Sequence, residues 1–450
     1  MVTPLRRGPR TSGPEPGPEQ PPAPPAPAAP PAPPAPAAGQ EEIRRQNLGA
    51  VLRYVHVHGP TSRAELTSRL GLNRSTIRAL AADLSAAGLV TEDVPTSGRR
   101  AGRPSLVVSP RSERVYANAL SIEPARLRAA RIGLGGHILD LREAPRPLGM
   151  SPADAVTELA ALVRRMDEGS DAGGAGGGDN PRARGAGGSG AAGTLCAGGA
   201  VAVADTTRDD DGTLHVGGAD DTLAAALGAE LGSGFVAGDM ADIAALAEHT
   251  RGVAAGINDL VYLHGDTGVS AGIVTGGRLV TGHGGASGKV GHMVVNPEGR
   301  RCGCGSRGCW ETEVGTQTLL RRAGAPAGTS PIAVLRAAAL GDAVAREALR
   351  AVADWLGFGV ANLVNVFNPD IVVFGGTLRE VYAAGARTVR RRLDTMALPA
   401  SREHLHLRAG ALGPDAALIG AAELAFGALL SDPLNGTAAG QPGPRDTAPQ

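Results

Sequence analysis

The sequence predicts a small winged helix-turn-helix at the front and a much larger α/β portion behind it. Three observations carry this. The stretch PTSRAELTSRLGLNRSTIRALAADLSAAGLV (60–90) holds two helix starts with a glycine-containing turn between them. Residues 41–108 hold ten arginines against six acids, although the whole chain balances to a formal net charge of zero. From about residue 115, short apolar runs, glycine turns and helical stretches alternate, which is how α/β architecture reads in one dimension.

In chain order, the first segment predicts no fold. Residues 21–38 contain only proline and alanine. Such a tract buries no core and favours extended polyproline geometry, so 1–40 is expected to be a disordered arm. A Gly-rich stretch at about 169–194 is expected to be a floppy surface loop interrupting a folded region, and 431–450 a disordered tail. Two folded portions remain, 41–110 and 115–430. A chain of 450 residues has room for two or three domains with sizeable cores.

In the front portion, Ile43 to Val57 predicts a helix with Leu48, Val51, Leu52 and Val55 on one face. Ser62 and Glu65 form a capping box that starts a second, short helix ending before Gly71. Asn73 caps a third, whose Ile77, Leu80 and Leu84 face inward and which stops at Gly88. A strand (LVTE), a turn (DVPTSGRRAGRP) and a second strand (SLVVS) complete a winged variant. Arg74, Ser75, Thr76 and Arg78 face outward at the front of the third helix, and Arg99, Arg100 and Arg103 lie on the wing. These residue types suit base edges and phosphates, so double-stranded DNA is the expected partner. A helical docking module with a solvated arginine face would explain fewer of these features.

The zero net charge means that the chain as a whole is no polycation; a nucleic-acid surface has to be local. No run of eighteen apolar residues occurs, and no apolar stretch follows MVTPLRRGPR, so a cytoplasmic location without a membrane span is expected. Thiols stay reduced there. That bears on GHMVVNPEGRRCGCGSRGCWET (291–312), which packs three of the four cysteines into eight residues. His292, Cys302, Cys304 and Cys309 supply one imidazole and three thiolates, a soft set suited to tetrahedral Zn²⁺ in a closed, structural site. Buried or reactive thiols are the alternative. Cys196 stands apart on an apolar strand and reads as a packed core thiol. Behind the cluster, NLVNVFNPDIVVFGG predicts a helix, a proline stop and a buried strand ending in Gly375–Gly376.

Taken together, these residues resemble the ROK family of repressors, open reading frames and kinases, over about 41–430. RRQNLGAVLRYVHVHGPTSRAELTSRLGLNRSTIRAL is similar to the winged module of its regulators, of the xylose-repressor and N-acetylglucosamine-repressor type. GGASGKVGHM with CGCGSRGCWE is similar to its signature, and NLVNVFNPDIVVFGG to its nucleotide-side motif. The resemblance implies a two-lobed, actin-like sugar-kinase fold, the same four metal ligands, and a homodimer or homotetramer. It also implies that His292 and Glu311 meet a sugar.

The chain departs from the family's kinases in three places. Aligned on AALAEH (244–249), Met240 takes the position of the catalytic carboxylate, with Asp239 and Asp242 as neighbours. Ser121 and Glu123–Pro124 stand where a glycine loop would cradle ATP phosphates. Lys289, the chain's sole lysine, replaces a sugar-binding glutamate three residues before His292, which on charge alone suits an anionic sugar derivative. The expectation is therefore a regulator, most often a repressor in this family, that is not an enzyme. A sugar-like effector would contact His292, Glu311, Lys289 and Asp239. An ATP-dependent carbohydrate kinase with an appended DNA-binding domain, or an effector-independent regulator on an inert scaffold, are the alternatives.

Overall fold

The computed structural model describes residues 36–94, 105–147, 149–172, 194–204, 207–208, 214–215, 221–283 and 287–435. The chain divides into two units between Glu42 and Ile43. In the first, the described part is the start of helix α1. The expected floppy loop lies largely outside the described residues, as do most of the expected arm and tail.

The front module is built as its caps dictate. Helix α1 (Pro36–His58) begins ahead of the expected Ile43. After β1 (Thr61–Ser62), α2 (Arg63–Leu70) starts at Ser62, whose hydroxyl accepts the Glu65 N–H at 3.1 Å, and stops at Gly71 with φ +67°. Helix α3 (Arg74–Ala86) starts at Asn73, whose side chain accepts the Thr76 N–H at 2.8 Å. Strands β2 (Val90–Asp93) and β3 (Val107–Pro110) complete an antiparallel sheet in the order β1-β3-β2. Arg63 reaches from α2 to Glu92 on β2, with Nε donating at 2.7 Å, and ties helix to wing base. The apolar faces read from the sequence are the buried ones: Leu48, Val51, Leu52, Val55, Ile77, Leu80 and Leu84 are all 3% exposed or less.

Behind the module come β4 (Val115–Ile122), β5 (Arg126–Gly133), β6 (Ile138–Pro145), α4 (Pro152–Ala172), β7 (Leu195–Val203), the short β8 (Thr207–Arg208) and β9 (Leu214–His215), α5 (Asp221–Leu231), β10 (Phe235–Asp239) and α6 (Met240–Arg251). Then follow β11 (Leu260–Gly265), β12 (Val269–Thr275), β13 (Arg278–Leu279), α7 (Glu311–Val314), α8 (Thr316–Arg322), α9 (Pro331–Leu340), α10 (Ala343–Phe367), β14 (Ile371–Gly376), α11 (Thr377–Met396), α12 (Pro399–Arg402), β15 (His406–Ala409) and α13 (Ala416–Ser431).

Two five-stranded sheets result, β10-β7-β4-β5-β6 and β13-β12-β11-β14-β15. Each has an antiparallel three-strand meander whose first strand pairs with a parallel strand from later in the chain, which in turn pairs with a second parallel strand. The same connectivity twice is the two-lobed, actin-like arrangement expected for 115–430. Helix α6 lies between the lobes. Its Ala241, Ala244 and Ala245 pack with Leu260, Tyr262 and Val274 of the second lobe, while Met240, Ile243 and Ala247 pack with α13 and the first. Gly413–Ser431, which is α13 with the short turn before it, is the one helical segment among the described residues with the length and apolarity of a membrane span, and most residues of α13 are buried in the core.

The front module is not a separate bead. Leu48, Val51, Leu52 and Val55 of α1 share one continuous core with Phe426 and Leu429 of α13 and with Val115 and Ala117 of β4. Contact is closest at Gly49, where a Cβ would lie 2.6 Å from the Leu430 carbonyl oxygen. A methyl group there forces the two helices apart, so Gly49→Ala is expected to cost about 1–3 kcal/mol despite alanine's better helix propensity. Denaturant unfolding measures this, and a higher midpoint in the variant would contradict the α1–α13 packing.

Candidate functional site

The loop ahead of α7 is folded by its own backbone. Cys302 N–H donates to Ser306 O at 2.8 Å, Gly305 N–H to Cys302 O at 3.1 Å, and Gly308 N–H to Arg300 O at 2.8 Å. A Cβ on Gly308 would sit 1.6 Å from the Asn296 carbonyl oxygen, and its φ of +73° also demands glycine. The turn brings the ligand atoms of His292, Cys302, Cys304 and Cys309 within 4.8 Å of one another. Cys304 and Cys309 sulfurs are 3.6 Å apart, and the Cys302 sulfur is 3.7 Å from His292 Nδ1. A tetrahedral zinc with sulfurs at about 2.3 Å separates them by about 3.8 Å, so the donor set fits such an ion in both chemistry and spacing. Trp310 anchors the loop: it is fully buried, its indole N–H donates to Trp355 O of α10 at 2.9 Å, and Gly359 makes room for its ring.

Of the four residues expected to meet an effector, two sit at this loop. His292 turns Nδ1 to the cluster, and Glu311 Oε1 accepts from the Cys302 thiol at 2.9 Å. The other two meet each other. Asp239 ends β10 and caps α6, where Oδ1 accepts the Ala241 N–H at 2.8 Å and Oδ2 accepts from Lys289 Nζ at 2.8 Å. Lys289 precedes a single turn (Val290–His292), so one short turn joins this ion pair to the metal cluster.

The pair changes the reading of Lys289. The anionic effector suggested by its charge loses its argument, because Asp239 neutralises it and Asp242 adds a further acid beside the pair. Asp242 is buried with Oδ1 lacking a hydrogen-bond partner among the described residues. Burial first, and Asp239 second, push its carboxyl up to about 7, while Lys289 pulls it down. Sequence reading noted Asp242 only as a neighbour; its position three residues after the N-cap Asp239 was the signal that it lies beside the cap. Met240 is 3% exposed and belongs to the core shared with α13.

The turn joining β4 to β5 is closed by an internal ion network. Glu123 accepts from Ser121 at 3.1 Å and from Arg126 Nε at 2.6 Å. Arg128, 3% exposed, donates to Glu143 at 2.7 Å and to Asp415 at 2.6 Å. At the end of β11, burial pushes His264 down and Asp266 up, each charge opposing the other's shift. The Gly375–Gly376 pair has a packing reason of its own: a Cβ on Gly375 would lie 1.8 Å from the Tyr262 hydroxyl. Cys196 is half-buried, weakly bonded to Asn118 and Gly198 O, and burial raises its thiol.

At the other end of the molecule, Arg74, Ser75 and Arg78 are exposed on α3 and Thr76 is half-buried. Ser75 donates to Asn73 Oδ1 at 2.7 Å and so belongs partly to the cap. Neither Arg74 nor Arg78 has an ion-pair partner among the described residues. The wing residues Arg99, Arg100 and Arg103 lie outside the described residues.

A winged helix-turn-helix with a bare arginine face, sharing its core with a two-lobed body of doubled sheet topology, defines a DNA-binding regulator on a sugar-kinase scaffold. More particularly, the chain belongs to the ROK family, whose profile matches residues 195–428, and residues 49–100 match the MarR family. It is 31% identical over 322 residues to the N-acetylmannosamine kinase of Escherichia fergusonii, spanning 69% of this chain and 99% of the kinase. A ROK family transcriptional regulator, a homolog of the E. coli MLC protein, superposes with TM-score 0.69 at 22% identity, covering 88% of this chain and 99% of its own. The ROK glucokinase of Streptomyces griseus, in complex with glucose and AMPPNP, superposes with TM-score 0.55 at 25% identity, covering 69% and 98%.

Asp242 gives the cleft a pH signature. An unfolded aspartate releases its proton near pH 4, whereas the folded one keeps it until about 7. The native state thus holds the extra proton in this window, so this residue's contribution falls as pH rises from about 4 through about 7. In thermal melts, Asp242→Asn should leave stability nearly unchanged at the acid end and raise it at pH 8. An unaltered slope would remove Asp242 from this account.

Proposed function

We propose that this regulator is a transcriptional repressor, released from its operator by a sugar-like effector, and that its kinase chemistry is lost. Met240 carries the second part. The position aligned with the catalytic carboxylate holds a thioether packed into the core, and the neighbouring Asp239 has both oxygens engaged, one by a backbone N–H and one by a lysine. A general base needs a free carboxylate within reach of the attacking hydroxyl. Glu123 and its arginines occupy the turn that would otherwise cradle phosphates.

The cleft retains the means to bind. With Lys289 neutralised by Asp239, a neutral sugar is favoured over a phosphorylated one, and His292 and Glu311 at the metal loop offer it a ring nitrogen and a carboxylate. Zinc held by His292, Cys302, Cys304 and Cys309 would shape that loop and leave no coordination position for water. Two winged modules on a homodimer would read an inverted repeat, with Arg74, Ser75, Thr76 and Arg78 toward the major groove and Arg99, Arg100 and Arg103 on phosphate or minor groove.

Selection of bound duplexes from a random pool by the purified chain should enrich an inverted repeat. Arg78→Ala should relax preference at one base pair per half-site by about 1–3 kcal/mol. A coupled assay over neutral hexoses should show no nucleotide consumption. Hexose-dependent turnover, with no duplex enriched, would replace this reading by the kinase one. Elemental analysis should find about one zinc per chain, and Cys309→Ser should lose it together with several degrees of melting temperature. An equally stable, metal-free variant would remove the structural role.

A further inference from the structure

We infer that α6 is the strut through which the effector cleft holds helix α1 of the winged module, with Arg251, His56 and Glu423 as its latch. The inference deepens the regulator reading and depends on it for its biological meaning. Three observations carry it.

The two ends of α6 sit in different places. At the N-terminus, Asp239 caps the helix and pairs with Lys289, three residues from the metal cluster. At the C-terminus, Arg251 donates from Nη2 to the His56 carbonyl at 3.0 Å and from Nη1 to Gly135 O at 3.0 Å, and its Nε donates to Glu423 Oε1. His56 lies on α1 of the winged module, Glu423 on α13. Twelve residues of α-helix span about 18 Å between these ends.

The latch is buried and polar. His56 is fully buried, and the side chains of Glu423 and Arg251 are 7% and 12% exposed. His56 Nδ1 accepts the Gly135 N–H at 2.9 Å, and its Nε2 faces both Glu423 Oε2 at 3.0 Å and Arg251 Nη2 at 2.7 Å. Removing any one partner strands buried polar groups, so the arrangement favours one orientation of α1 on the body.

Finally, the strut has no sideways slack. A Cβ on Gly272 would lie 2.3 Å from the Ala241 carbonyl oxygen on one flank, and one on Gly420 would lie 1.9 Å from that of Ile243 on the other. Glu248, fully buried, fixes the far end by accepting the N–H groups of Val253 and Leu412 at 2.9 and 3.0 Å. A helix so confined moves as a body, so a ligand that reorganises Asp239–Lys289 displaces Arg251 and loosens His56.

Hydrogen exchange on the full chain, without any effector, tests this. Lys289→Met breaks the cleft pair, and amides of residues 49–58 should then exchange faster by between about twofold and about thirtyfold, the range of coupling through packed side chains. Amides of α10 and α11 should keep their rates. Lys289→Arg should restore protection, which separates the effect from general instability. In an Arg251→Lys background, Lys289→Met should have a smaller effect on residues 49–58. Faster exchange confined to the cleft and metal loop, or equal effects in both backgrounds, would overturn the strut. Enrichment of DNA is read separately: a chain that binds an operator yet shows no response in α1 keeps the regulator reading and loses this one. A chain that responds in α1 but enriches no duplex does the reverse.

Discussion

The architecture depends on how closely α6 can be approached from both sides. A helix that faces two hydrophobic cores at once must present small residues to each, because bulky side chains would hold the lobes apart. Its second-lobe face is alanine (Ala241, Ala244, Ala245), and glycines on the partner elements (Gly272 on β12, Gly420 on α13) let backbone meet backbone. Interiors packed to crystal-like density tolerate no added methylene at such crossings. The positions of the cleft, of α13 and therefore of α1 all follow from that contact.

The substitutions in the cleft make sense as a set. A lysine where a sugar kinase keeps a glutamate would leave an uncompensated charge, but Asp239 meets it directly. Methionine in place of a carboxylate would be wasteful in an open cleft; here its side chain completes the core beneath α6. The result is a charge-compensated pair one short turn away from the His292–Cys302–Cys304–Cys309 cluster. Met240 and Asp239 here serve packing and ion pairing.

How much of this was legible in the sequence depended on distance along the chain. Helix caps at Ser62 and Asn73, the stop at Gly71 and the inward faces of α1 and α3 are local features, and each was readable. The clustering of His292, Cys302, Cys304 and Cys309 was readable for the same reason, since the three cysteines lie within eight residues and the backbone of one turn gathers them. The Lys289–Asp239 pair joins residues 50 apart, and the latch joins His56 to a glutamate 367 residues away, so neither leaves a pattern in any window. The doubled sheet topology was equally hidden, because the two meanders share connectivity without shared residues. The packing at the seam between the front module and the body was not legible. Composition marked two folded portions but gave no sign that α1 buries its apolar face against α13.

One consequence concerns light. The chain has two tryptophans, and the indole N–H of Trp310 is bonded to the carbonyl of Trp355. Trp310 follows Cys309 directly and is fully buried. Intrinsic fluorescence excited at the red edge of absorption therefore reports from one joint, between the metal loop and α10, while the winged module is spectroscopically dark. Any change in emission is a local message about the loop that borders the cleft.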